Sequence, residues 1–183
     1  MEIKKRRDRV TKANERGEIS IPIGHFALKD TSKITGNTYP KFIIYGLGSC
    51  VALILFDKKA QVHAMSHILL PSFQNVKERT PLRHPQKYAD QAVKDLTKLI
   101  TRKGATITNL RAVIIGGAKI FKNHYNNIGE ENVKMVRHEL EKHGIKIEKQ
   151  VVGGTSGRNI KFDTKNDSIF VKSTGKSEFK KII

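Results

Sequence analysis

The stretch Gly46-Leu47-Gly48-Ser49-Cys50-Val51-Ala52-Leu53-Ile54-Leu55-Phe56-Asp57, followed after Lys58-Lys59-Ala60 by Gln61-Val62-His63-Ala64-Met65-Ser66-His67-Ile68-Leu69-Leu70-Pro71, decides how this chain folds. An apolar run of strand length, a polar break and a second strand-like run read as a β-hairpin. With its turn centred between Lys58 and Lys59, Cys50 falls opposite His67. Directly opposed residues of an antiparallel pair point to one face, with Cβ atoms about 4.5–5.5 Å apart. An imidazole at that separation can take the thiol proton, and an imidazolium would lower the thiol pKa from about 8.5. The product is an activated sulfur nucleophile. Gly46 and Gly48 free the loop before Cys50 to turn its N–H groups, around Gly48 and Ser49, toward a developing oxyanion. The competing reading makes Cys50, the only cysteine, a small buried hydrophobe.

Working outward, Glu18 to Ile23 alternates polar and apolar, with Pro22 placing it at a sheet edge. Gly24 to Leu28 and Lys41 to Tyr45 are further strands, separated by a polar segment with a Gly36-Asn37 turn. Ser72 to Pro85 reads as a long loop beside the Cys–His pair, able to shape a substrate groove. Ala89, Ala92, Val93, Leu96, Leu99 and Ile100 form one apolar helical stripe ending near Gly104. Asp90, at its start, suits capping and the helix dipole better than catalysis. Leu110 to Ile115 is a buried strand, and a second helix runs from about Glu130 to His143. Ile145 to Val151 returns to strand. Ile160/Phe162 and Ile169/Val171 flank Lys165-Asn166-Asp167 as a final hairpin. Paired strands with two intercalated helices, and no regular βαβ alternation, give an α+β single domain.

In order along the chain, Gly-Leu-Gly-Ser-Cys-Val at 46–51 and Ala-Met-Ser-His-Ile-Leu-Leu-Pro at 64–71 are followed by Lys87-Tyr88-Ala89-Asp90 and Gly116-Gly117-Ala118-Lys119-Ile120-Phe121. Asn127-Ile128-Gly129 and Gly153-Gly154-Thr155-Ser156-Gly157-Arg158 complete the set. Together they resemble the chemoreceptor glutamine deamidase (CheD) family from about Gly24 to Lys172. The resemblance implies layered β-sheets with flanking helices, similar to the cysteine deamidase toxins. It also implies Cys50 as nucleophile and His67 as base, acting without a cofactor on methyl-accepting chemoreceptors, with a CheC-type phosphatase as regulatory partner. The family's third catalytic residue, a threonine, falls on Ile44, which cannot hydrogen-bond an imidazole. Thr155 and Ser156 are candidates to orient His67 or contact substrate in its place. The family pattern often has arginine where Glu131 stands.

Composition narrows the alternatives. The 183 residues carry a formal net charge of +18, from 35 Lys and Arg against 17 Asp and Glu. Such an excess suits polyanionic partners or an acidic protein surface. Residues 1–17 form a basic arm, residues 18–174 the catalytic domain and residues 175–183 a basic tail. With 7% aromatic residues, no tryptophan and no recognition motif, a nucleic-acid binder rests on charge alone. No apolar run approaches the ~20 residues of a membrane span, and the N-terminus lacks a secretory core. A lone cysteine fits the reducing cytoplasm. His63, His67 and His84 do not form a recognised metal pattern, and His138 and His143 lie at i and i+5, off a shared helix face. His63, on the face of His67, is a candidate to support it. Two functions compete. One is a protein-glutamine deamidase, into whose path a methyl glutamate ester can also enter. The other is a deamidase-like protein that docks to receptor or phosphatase.

Overall fold

The computed structural model describes residues 13–73, 84–120 and 127–183. Ten strands and two helices follow in order: β1 (Glu18–Ser20), β2 (Phe26–Asp30), β3 (Lys41–Leu47), β4 (Val51–Asp57), β5 (Val62–Ile68), α1 (Ala89–Thr101), β6 (Arg111–Gly116), α2 (Ile128–Lys142), β7 (Lys146–Val152), β8 (Arg158–Asp163), β9 (Ser168–Ser173) and β10 (Lys180–Lys181). They form two five-stranded sheets, ordered β1-β3-β8-β9-β10 and β2-β5-β4-β6-β7.

Side-chain alternation along β4 explains the layering. Val51, Leu53 and Leu55 join one core with the buried faces of α1 and α2, including Leu96, Ile100, Val136 and Leu140. Ala52, Ile54 and Phe56 join a second core with Phe42, Ile44, Ile160, Phe162 and Ile169 of the other sheet. A strand covered on both faces reads as a near-continuous apolar run, and every residue of β4 is buried, all apolar except the terminal Asp57. The helices therefore cover one face of the central sheet and the second sheet covers the other, an α+β arrangement of three layers.

The helix stripe of α1 is as expected from its periodicity, except that Thr97 is buried and Leu99 only half-buried. Asn127 caps α2, its side chain accepting from the Glu130 N–H. One βαβ unit is present, since β6 and β7 pair in parallel around α2. The β1 edge position and the β8–β9 hairpin are as the sequence suggested. The C-terminal basic segment is not free of the fold: Lys180 and Lys181 pair with β9, and the Ile182 N–H donates to the Ile169 carbonyl. Most of the N-terminal arm (residues 1–12) and the expected groove-forming loop (residues 74–83) lie outside the described residues.

Candidate active site

The β4–β5 register differs from the expected one. Asp57 pairs with Val62 and Ala52 with His67, so the turn spans Lys58–Gln61, with Gln61 taking a positive φ of 54°. Lengthening the turn by two residues slides the strands by a whole side-chain repeat and leaves facing unchanged. Asp57 sets the longer turn: its Oδ1 accepts from the Lys59 and Ala60 N–H groups, and its Oδ2 from Thr106 N–H. Cys50 thus lies diagonally from His67 rather than opposite it. Diagonal neighbours on one face are about 7–8 Å apart at the backbone, within reach of long side chains. Cys50 packs in the inter-sheet core, and His67, two residues from Met65 of that core, takes the same face.

His67 is oriented by main chain. Its Nδ1 lies 3.1 Å from the Ile21 carbonyl, which can only accept, so Nδ1 carries the proton and Nε2 is left basic. The Ile21 strand end is itself fixed, its N–H donating to the Ile43 carbonyl at 2.9 Å. Ile44 sits fully buried in the inter-sheet core, paired with Ile160 across β3 and β8. The hydrogen bond of the His67 imidazole is with the Ile21 carbonyl instead. Thr155 and Ser156 are exposed on the loop before β8, and neither bonds His67 among the described residues.

Burial sets the resting protonation. It pushes the Cys50 thiol up from its ordinary range, offset a little by the residue's own N–H leaning toward the sulfur. Burial also pushes the His67 imidazole down, against the Ile21 hydrogen bond, with nearby His25 adding to the depression. Both shifts favour neutral forms. Enclosure between the two sheets thus favours the neutral thiol and the neutral imidazole over the ion pair that activation by an imidazolium requires.

The loop carrying Cys50 is fastened at three successive carbonyls. Gly48 O accepts from Ala118 N–H at 2.9 Å and Cys50 O from Gly117 N–H at 2.8 Å. Ser49 O accepts from the Asn132 side chain at 3.1 Å. In a trans peptide the N–H points opposite to the C=O. Tying back the Gly48 and Ser49 carbonyls therefore turns the Ser49 and Cys50 N–H groups the other way. Among the described residues no backbone carbonyl accepts from either N–H.

Close backbone approach explains the glycines of the facing loop. A Cβ on Gly116 would stand 2.3 Å from Cys50 O, at a φ of 118° that L side chains rarely adopt. The second glycine loop packs alongside: Lys119 N–H donates to Gly154 O, and Gly153 N–H to Gly116 O. Buried Arg158 holds that loop by donating from Nη2 to Gly153 O at 2.7 Å.

His63 does not support His67. Its Nε2 meets Asp167 Oδ1 at 2.7 Å and its Nδ1 lies 3.4 Å from Thr31 Oγ1, linking the two sheets about 13 Å along the strand from His67. Asp90 is structural, accepting from Ser72 Oγ and Phe73 N–H to tie the loop start to α1. Glu131 is exposed, whereas its neighbour Asn132 is fully buried and reaches the site. Asn132 and the Ile21 carbonyl escaped sequence reading. A carbonyl leaves no signature, but a lone asparagine on the Gly129, Val133, Val136, Leu140 stripe of α2 is a signal that could have been read. No three of His, Cys, Asp and Glu cluster in metal-binding geometry among the described residues.

A family model described as CheD chemotactic sensory transduction matches residues 69–173, a span beginning just past His67. The chemoreceptor glutamine deamidase CheD of Thermotoga maritima is 36% identical over 158 residues, covering 86% of this chain and 93% of its own. The probable chemoreceptor glutamine deamidase CheD of Pyrococcus abyssi is 34% identical over 169 residues, covering 91% and 93%. That of Methanococcus maripaludis strain C5 is 36% identical over 135 residues, covering 73% and 85%. Among solved structures, the hypothetical protein YfiH of Bacillus licheniformis covers 68% of this chain and 49% of its own, with TM-score 0.41 and 15% identity.

Proposed function

The chain belongs to the CheD family of chemotactic sensory transduction proteins, a family of chemoreceptor glutamine deamidases, and we propose that it hydrolyses receptor glutamine with Cys50 as nucleophile and His67 as base. One observation carries the assignment of residues. Cys50 and His67 share the inter-sheet face at one end of the central sheet, with His67 anchored through Nδ1 so that Nε2 is basic.

Cys50 Sγ attacks the side-chain carboxamide carbon as its proton passes to His67 Nε2. The oxyanion is held by the Ser49 and Cys50 N–H groups, beside Gly48. The C–N bond then breaks, the imidazolium protonates the departing ammonia, and a thioester to Cys50 remains. Water, deprotonated by His67, attacks the thioester; the C–S bond breaks, glutamate leaves, and the sulfur regains its proton. A methyl glutamate ester follows the same route with methanol leaving. Because the resting pair is neutral, no buried ion pair must be maintained before substrate arrives.

The exposed apolar side chains Ile23 and Ile120 flank this pair and suit docking of a protein substrate. Ile23 adjoins Gly24, whose N–H donates to His67 O, while Ile120 Cγ1 lies against Gly48. The +18 charge suits an acidic receptor bundle through steering that salt weakens. No helix is long and apolar enough to cross a membrane among the described residues. The reading places the protein in the cytoplasm, with a CheC-type phosphatase as regulatory partner and the basic arm at residues 1–17 as a steering element. Docking without catalysis loses its main support, because the Ile21 carbonyl does the orienting that Ile44 cannot.

Mass spectrometry of a receptor cytoplasmic fragment tests the proposal. Each deamidation adds about one mass unit, and the shift should appear with the wild-type protein and vanish with Cys50→Ala. A shift undiminished by Cys50→Ala would remove the cysteine mechanism.

A further inference from the structure

We infer that Asn132 is a positioning residue that holds the nucleophile and the base in register, acting through the main chain rather than on substrate. Its Nδ2 donates to two carbonyls from different strands: Ser49 O at 3.1 Å and Leu69 O at 2.9 Å. The first belongs to the peptide unit whose N–H is that of Cys50. The second lies two residues beyond His67, on the segment that continues β5.

Geometry gives each bond a consequence. Drawing Ser49 O toward α2 rotates the Ser49–Cys50 peptide so that the Cys50 N–H faces away from α2, toward its own sulfur and the oxyanion position. The Leu69–Leu70 peptide is pinned at both ends, since the Leu70 N–H donates to Lys87 O at 2.9 Å. A single amide group thus spans the start of β4 and the extension of β5, where the hairpin's own ladder has ended. Of the three fastenings of the Cys50 loop, the other two are main chain to main chain. Only the Asn132 link can be removed by substitution without breaking the backbone.

The identity of the residue follows from the donor count. Both accepting groups are carbonyls, so the bridging atom needs two N–H donors, and the side-chain amide supplies them. Aspartate presents only acceptors, and serine has a single donor. Asn132 Oδ1 has no partner among the described residues although fully enclosed.

This inference rests on the Cys50–His67 reading, and the test separates the two. Because Cys50 is the only cysteine, iodoacetamide reads its reactivity alone. Displacement of a reacting group by about 1 Å can cost 100-fold. Asn132→Ala should therefore lower kcat by roughly 10–100-fold with KM within about twofold, and should erase the His67-dependent part of the alkylation pH profile. Asn132→Ser, keeping one donor, should fall between it and the wild type. Val136→Ala, one turn further along the buried face of α2, supplies the matched control: it should lower the melting temperature and leave kcat and the alkylation profile unchanged. A folded Asn132→Ala or Asn132→Ser with wild-type kcat, or a kcat loss equalled by Val136→Ala, would overturn the positioning role. Full activity of Cys50→Ala in the same assay would overturn the underlying reading instead.

Discussion

Replacing Gly116 with alanine should damage the catalytic loop far more than the same change at Gly46, and the two positions separate crowding from backbone strain. Both glycines have positive φ, 118° at Gly116 and 66° at Gly46. Around Gly46 a new Cβ meets nothing within 4 Å, whereas at Gly116 it lies 2.3 Å from Cys50 O and 2.8 Å from Leu47 Cδ2. Left-handed strain alone costs roughly 1–2 kcal/mol, the expectation for Gly46→Ala. Gly116→Ala adds overpacking of about 1–3 kcal/mol to strain of about 1–3 kcal/mol, for a total of about 2–6 kcal/mol. At about 2–4 °C per kcal/mol for a chain of this size, Gly46→Ala should lower the melting temperature by roughly 2–8 °C and Gly116→Ala by roughly 4–24 °C. Relief of the clash must move the Cys50 carbonyl, and with it the bond from Gly117 N–H. Deamidation should fall by about 100-fold in the fraction that remains folded. Thermal unfolding, with deamidation measured well below the transition, reads both effects. Equal melting losses for the two variants, with wild-type turnover in Gly116→Ala, would refute the close approach of β6 to the nucleophile.

Other perturbations reach different parts of the account. The depressed His67 pKa means that neutral base persists below the ordinary imidazole range, so kcat/KM should hold as pH falls past about 6.5 and decline only lower. Half-loss at or above that pH would contradict the burial argument. The same shift has a stability sign: the unfolded chain takes up the His67 proton first, so stability should fall as pH drops below about 6.5, detectable as a wild-type melting loss that His67→Gln reduces. Ile44→Thr should leave turnover within about twofold while costing about 1–3 kcal/mol for a buried hydroxyl; a large gain in kcat would show that the Ile21 carbonyl is an inadequate anchor. Ile120→Asp should raise KM for a receptor fragment while leaving small-molecule alkylation of Cys50 nearly unchanged.

Much of this was legible from residue patterns because it depends on local physics. Helix stripes, the six-residue apolar run of β4 at 51–56 and the β8–β9 turn each announce themselves through periodicity or turn chemistry. The face shared by Cys50 and His67 was legible too, since a slip of two residues preserves parity. The register was not. It depends on Asp57 reaching Thr106 N–H, from a residue 49 positions away. His67 orientation was hidden for a related reason: the partner is the Ile21 carbonyl, and every residue has a carbonyl. The effect of burial on protonation was not legible, because the hairpin alone would leave the pair half-solvated. Only the second sheet, built largely from later strands, encloses the thiol enough to favour the neutral form.

The most direct test of the central claim compares Cys50→Ala, His67→Ala and the double variant in single-turnover deamidation of a receptor fragment, followed by mass. Thiol and base acting as one unit should make the losses non-additive. The account predicts that Cys50→Ala abolishes the shift of about one mass unit, that His67→Ala is nearly as damaging, and that the double variant is no worse than Cys50→Ala. Independent, multiplying losses, or turnover surviving in Cys50→Ala, would contradict it.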